Sequence, residues 1–265
     1  MLEPLPTLRA PEKPELIFAR ALPAREAFTW LAAGWNDLRA SPVSSLAYGI
    51  LLVALSYVAL WALAAAGLLY LALPAIAGFL IIGPFLALGL YEKSRALESG
   101  DPVSLWRMVL VRPASSGQLA YAGLLLGLLV LFWLRAADLL YALFFGLTPF
   151  PGAEVAFANV LTTGRGWSLI LVGGAVGGLF AGFAFALSLF SIPMMLAQKR
   201  DALTALGLSF SMTLQNLPVA LAWGAIIAVG LAISVATGLL GLAVIFPVLG
   251  HGTWHAYRAI WKDAQ

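Results

Sequence analysis

Two residues in this chain invite a chemical reading first. His251 and His255 are its only histidines, four apart on one helical face with Trp254 beside them. That spacing can chelate a metal or approach a haem. The pair lacks a neighbouring carboxylate or third ligand, so the competing reading is a polar-aromatic belt at a membrane interface. No cofactor is expected, and His251 and His255 stand as the candidates if a metal is bound. Arg135 and Asp138, three residues apart, can pair on one helical face, either as a gate within the membrane or as a salt bridge at its edge. Gly174, Gly178 and Gly182 form a four-residue ladder, flanked by Gly173 and Gly177 and repeated by Gly123 and Gly127. Small residues at that interval let helix backbones approach closely, which reads as packing within a bundle.

The elements that carry these residues are set by composition. At 62% hydrophobic and 10% charged residues, the chain is far from the roughly 25% charge of soluble domains. Several apolar runs reach the ~20 residues that a helix needs to cross a bilayer. With no cysteine, disulfides, thiolate metal sites and thiol catalysis are excluded. There is no phosphate-binding glycine loop, dinucleotide fingerprint, nucleophile elbow or zinc-protease helix, and no soluble part large enough to hold an active site.

Residues 1–24 are proline-rich and read as a mobile tail, and 25–265 as a single membrane domain. No removable signal peptide is visible, so the first span is expected to target the chain itself. In AREAFTWLAAGWNDLRA, Phe28, Leu31, Trp35 and Leu38 recur at helical spacing, which predicts an amphipathic helix lying on the membrane surface. Spans are expected over Ser44–Leu69, Leu71–Tyr91, from Leu119 towards Arg135–Asp138, Leu169–Ala197, and twice within the uncharged Leu217–Gly250 stretch with a turn near Thr237–Gly241. Between them, Gly100 should stop a helix, Asp101 cap the next and Pro102 open it. The fold class predicted is all-α: six transmembrane helices as three hairpins, with cytoplasmic amphipathic surface helices.

Internal echoes suggest a repeat. Pro84–Leu97 and Pro247–Ile260 align without a gap, matching Pro84 to Pro247, Gly89 to Gly252, Tyr91 to Trp254, Glu92 to His255 and Arg95 to Arg258; a weaker copy starts at Pro193. The units would be 25–92, 93–198 and 199–261, with Pro84, Pro193 and Pro247 bending their helices at similar depth. Tyr91, Arg95, Trp254 and Arg258 then read as interface anchors, aromatic at headgroup level and cation in the phosphates. Every Lys and Arg except Arg135 and Arg165 lies on one side of such a topology. By the positive-inside rule both termini are cytoplasmic and the protein sits, multi-pass, in a bacterial inner membrane.

The blocks GWNDLRASPVSSLAYG, GPFLALGLYEKSRALESGDPVS and PVLGHGTWHAYRAI resemble the prokaryotic integral membrane family catalogued as domain of unknown function 2189, over about residues 25–261. The resemblance implies a six-helix membrane fold and no established function. Some members carry a cytochrome c oxidase label. Such a core needs histidines spread over several helices, and this chain has two, both on one. The expectation is a non-enzymatic membrane protein whose partners are the lipid bilayer and another membrane protein or a second copy, not nucleic acid. The alternative is a transporter or channel for a small or lipid-like substrate, and a haem- or metal-binding respiratory component is the third reading.

Overall fold

The structure, a computed structural model, describes residues 18–68, 71–101, 104–146 and 152–261. Among them there is no strand. The helices are α1 (Glu26–Ala40), α2 (Pro42–Ala65), α3 (Ala72–Leu86), α4 (Leu88–Ser99), α5 (Leu105–Val109), α6 (Ser116–Phe145), α7 (Ala153–Thr162), α8 (Gly164–Ser188), α9 (Ser191–Ala197), α10 (Ala202–Gln215), α11 (Leu217–Ala236) and α12 (Leu242–Trp261).

Five segments are long and apolar enough to cross a membrane: Pro42–Ala65, Pro74–Ser99, Ser116–Phe145, Gly164–Ala197 and Leu217–Ala236. The expected sixth, α12, is not among them. It carries His251, His255 and Arg258 and packs on α1, α2, α4, α9 and α11. The turn before it falls where expected, with Gly238 and Leu239 at positive φ.

Two spans are broken, and side chains from neighbouring helices repair each break. Pro193 cannot continue an upstream helix without clashing with the carbonyl four residues back, and the chain breaks between α8 and α9 at Leu189–Phe190. The Ser209 hydroxyl from α10 enters the gap. It accepts from the Phe190 amide at 3.0 Å and donates to the Ala186 carbonyl at 2.8 Å, bridging the two groups a continuous helix would have joined. The second break, at Ala87, follows Pro84. The freed Leu86 carbonyl accepts from the Tyr48 hydroxyl of α2 at 2.8 Å. Pro247 produces no break: α12 runs unbroken through it.

Among the shorter helices, α5 packs on α4, α10 on α9, α7 on α8 and α1 on α12. The α1–α12 crossing is glycine against glycine. A methyl group at Gly34 would overlap the Val248 carbonyl and the Gly252 amide, and one at Gly49 of α2 would overlap the Ala243 carbonyl. The face of α1 turned to the protein is therefore Ala27, Trp30, Gly34 and Leu38. Of the expected apolar face, only Leu38 is buried; Phe28 and Trp35 are exposed, on a second apolar strip beside the packed one.

Three further expectations change. The tail is docked from Phe18 onward: Asn216 Nδ2 donates to the Phe18 carbonyl at 2.7 Å, the Arg20 amide donates to Asn216 Oδ1 at 3.0 Å, and Phe18 stacks on Trp261. Residues 1–17 lie outside the described chain. Gly100 ends α4 at φ +71°, as expected. The cap of α5 is however Ser104, accepting from the Arg107 amide at 3.2 Å, and Pro102 lies outside the described residues. Finally, the stretch between the third and fourth expected spans contains a helix, α7.

The break at Leu189–Phe190 makes a direct prediction. In Ser209→Ala a buried amide and a buried carbonyl lose their shared partner, which should cost about 1–3 kcal/mol. Thermal unfolding in detergent should show a clear fall in midpoint, whereas Ser168→Ala, at an exposed site on α8, should change little.

Candidate functional site

The three sequence blocks singled out above meet at one place. Asp37, Ser41 and Ser45 come from the α1–α2 corner, Lys93 and Ser94 from α4, and His251 and His255 from α12. The glycine seat beneath α12 brings them within hydrogen-bonding distance. Lys93 has no exposed surface. Its ammonium donates to the Ser41 carbonyl and to Ser45 Oγ, each at 2.6 Å. Ser45 Oγ lies 2.9 Å from His251 Nε2. His251 Nδ1 lies 3.1 Å from the Leu90 carbonyl and 2.8 Å from Ser94 Oγ. Ser94 donates to Asp37 Oδ2 at 2.6 Å, and that same oxygen is 2.9 Å from His255 Nε2.

Donor and acceptor capacities order this chain. An ammonium only donates and a carbonyl only accepts. Lys93 therefore donates to Ser45, Ser45 donates to His251 Nε2, and the His251 proton sits on Nδ1, facing Leu90 and Ser94. Ser94 then donates to the Asp37 carboxylate. In the sequence Lys93–Ser45–His251–Ser94–Asp37–His255 no buried side-chain nitrogen or oxygen is left without a partner, which is how a buried polar network becomes stable. The Ser45–His251 distance also suits a nucleophile and its base. A nucleophilic serine must touch its substrate, however, and Ser45 has no exposed surface and does not line the cavity described next. Both His251 ring nitrogens face protein partners. Among the described residues no group of three His, Asp or Glu is placed to hold a metal.

On the other face of α4 and α12 lies a cavity of about 390 Å³, bounded by α3, α8, α11 and α12. It runs from Phe79, Ser234 and Leu242 at one end to Tyr91, Ala220 and Thr253 at the other. Leu242 and Thr253, eleven positions apart on α12, make it about 17 Å long at 1.5 Å per helical residue. No charged side chain lines it. Gly182 of α8 and Leu221 of α11 both line it and are both exposed, so the cavity opens sideways between these two spans. At the Tyr91 end the Thr253 hydroxyl donates to the Leu249 carbonyl at 2.8 Å and accepts from Trp223 Nε1 at 3.2 Å.

Residues 71–197 match the model of the family described as Predicted integral membrane protein (DUF2189). No curated protein and no solved structure matches it. The matched stretch holds α3 to α9, and so Lys93, Ser94 and the α3 and α8 walls of the cavity. The α1–α2 corner and α12 lie outside it.

The other expected site residues scatter. Tyr91 and Trp254 are each 1% exposed; their rings sit in protein rather than among headgroups, and the Trp254 indole N–H has no hydrogen-bond partner among the described residues. Arg95 pairs with Glu92 at 2.7 Å, and Arg107 joins the same carboxylate at 3.0 Å. Arg258 pairs with Glu98 at 3.4 Å. Arg135 and Asp138 do pair, at 3.2 Å, on an exposed face of α6, remote from the polar junction. The glycine ladder differs from the expectation: a methyl group at Gly174, Gly178 or Gly182 would meet nothing within 4 Å, while Gly177 and Gly123 receive the Trp133 and Phe85 rings. Packing inside the chain uses the latter two. Lys93, Ser45, Ser94 and Asp37 were not singled out from sequence. A lysine followed by serine inside YEKSRAL looks like any charged helix end, although Glu92–Arg95 pairing was available as a sign that Lys93 points elsewhere.

Burial pushes the Asp37 carboxyl up, but hydrogen bonds from His255 and Ser94 more than offset it and hold it below the usual carboxylate range. A depressed carboxylate contributes stability that is fully present above its unfolded value, about 3.9, and lost as pH falls through its lower folded value. Asp37→Asn should therefore be less stable than wild type at pH 7, and should lose less further stability between about pH 4 and pH 2. Unfolding midpoints across that range test this, and parallel curves for the two proteins would refute it.

Proposed function

We propose that this integral membrane protein binds a lipid-like molecule that enters sideways from the bilayer, and that it does so without catalysing a reaction. The observation that carries this reading is the uncharged, elongated cavity with its mouth at Gly182 and Leu221. Ligand sites usually fall in the range of about 300–1,000 Å³ with few polar groups. Unpaired ionisable residues lining the path, the usual mark of ion-coupled transport, are missing from the walls. The nearby charges are engaged with one another: Lys93 with serine groups, Asp37 with His255, and Glu92 with Arg95 and Arg107. The polar junction serves as the stiff wall behind the cavity.

A second reading, action through a partner helix, draws on the open Gly174–Gly178–Gly182 ladder. One experiment separates the two. A photoactivatable long-chain lipid probe in nanodiscs should label cavity residues of the wild type, and Gly182→Leu, which has open space to enter, should lower that labelling at least fivefold without loss of fold. If the chain acts only through a partner helix, the probe will leave the cavity unlabelled and crosslinks from α8 will run to another protein.

The same reading places the protein in a bacterial inner membrane with both termini cytoplasmic, supported by the charge asymmetry. The chain has no cysteine, so Thr162→Cys, on the opposite side in this topology, gives a clean readout. An impermeant thiol reagent should label it from outside in intact spheroplasts; labelling only after lysis would reverse the orientation.

A further inference from the structure

A hydrocarbon chain has a fixed length and a fixed volume per carbon, and the cavity supplies a measure of each. Leu242 and Thr253 give it about 17 Å along α12, and Ala220 and Ser234, fourteen positions apart on α11, give about 21 Å. An extended chain advances roughly 1.2 Å per bond, a third of what three backbone bonds span. The length therefore takes a chain of roughly 14 to 17 carbons. A methylene is close in size to a water, about 30 Å³. A volume of about 390 Å³ then takes roughly 13 carbons. The two counts nearly coincide. Two chains side by side would need twice the volume for the same length, so the cavity is one chain thick.

The opening gives this slot a direction. Gly182 on α8 and Leu221, Ala225 and Ala228 on α11 line the cavity and are exposed. They mark a slit that starts one turn from Leu217, where α11 begins. Towards the other end Ser234, Leu242 and Phe246 are buried, so the slot is covered there. A chain entering through the slit has its free end under cover at Ser234 and Leu242. Its head stays outside near Leu217, at the edge of the span Leu217–Ala236. The uncharged walls offer nothing to neutralise a charged head, which is costly to bury unpaired.

Resting on the lipid-binding reading, we infer that the cavity receives one straight acyl chain of about 13 to 17 carbons from a bilayer lipid, with the head and any second chain left in the bilayer. Selection is then by chain shape. Methyl branches or a fused ring system are wider than a single file of carbons, and forcing extra atoms into a filled space displaces its walls. A longer chain must buckle at the mouth, and a shorter one leaves the covered end empty.

The test uses the full chain in nanodiscs of a lipid whose chains carry a methyl group on every fourth carbon. Phosphatidylcholine probes carry a diazirine at the end of a straight chain ten, sixteen or twenty-two carbons long, and labelled residues are located by mass spectrometry. The sixteen-carbon probe should label the Leu242–Phe246 stretch at least about fivefold more than either other length. With the diazirine moved next to the head, the same chain should label Leu217–Ala225 instead. Replacing the branched host lipid with one bearing straight sixteen-carbon chains should lower the labelling at least about fivefold, because only straight chains compete. Equal labelling by the three lengths, a reversed pattern for the two diazirine positions, or equal labelling in the two hosts would overturn the single-chain inference and leave lipid binding standing. Failure of every probe to label the cavity would overturn both.

Discussion

The contact on which this structure depends is the seat of Leu242–Trp261 against α1 and α2. Gly34 and Gly252 face each other there, and Gly49 lies on the Ala243 backbone, so the helices meet at backbone distance. Side chains must be short to allow this approach. Its consequence is that groups from distant parts of the chain can touch directly: Ser45 and Asp37 reach His251 and His255 without an intervening water. A helix held that closely is largely covered by protein along its second half, which is why it can carry one buried and one half-buried histidine, while Arg258 reaches the exposed side.

That seat also settles how a lysine can be buried in so apolar a protein. An isolated ammonium in a low-dielectric interior is costly. Lys93 is tolerated because the Ser41 carbonyl is free at the α1–α2 corner and Ser45 relays the interaction to His251 and beyond. The broken helices follow the same rule. Where a proline interrupts the backbone ladder, a hydroxyl from the next helix fills the gap, Tyr48 in one case and Ser209 in the other. Polar side chains in this molecule thus go to places where the backbone or a buried charge would otherwise lack a partner.

The helical class, the apolar spans, the turn at Thr237–Gly241 and the importance of Pro247–Ile260 were all legible in the sequence, because apolar periodicity and glycine-proline punctuation are local signals. The side chains that meet at the junction were not. Asp37 and Lys93 each have an exposed-looking neighbourhood, and only a tertiary contact between α1, α4 and α12 shows that they face inward. The rotation of α1 failed for the same reason: Gly34 has no hydrophobicity to count, yet it defines the packed face. The glycine ladder misled in the opposite direction, since a correct spacing says nothing of whether a partner helix is present. The second apolar strip on α1, Phe28 and Trp35, is what the surface-helix expectation had detected.

The cavity follows from how the walls are held apart. Among the described residues α8 and α11 are joined chiefly through α10, which packs on both, while α12 sits behind them against α2 and α1. Collapse would have to move helices that are fixed elsewhere by the glycine seat and by Ser209 in its backbone gap. The space, about 390 Å³ and open on one side, therefore lies between walls that are fixed by contacts elsewhere. On the lipid-binding reading proposed above, an acyl chain would fill it through the mouth at Gly182 and Leu221. Of its lining residues, Tyr91, Thr253 and Ser234 alone carry polar side-chain atoms, so any discrimination between occupants by hydrogen bonding falls to them.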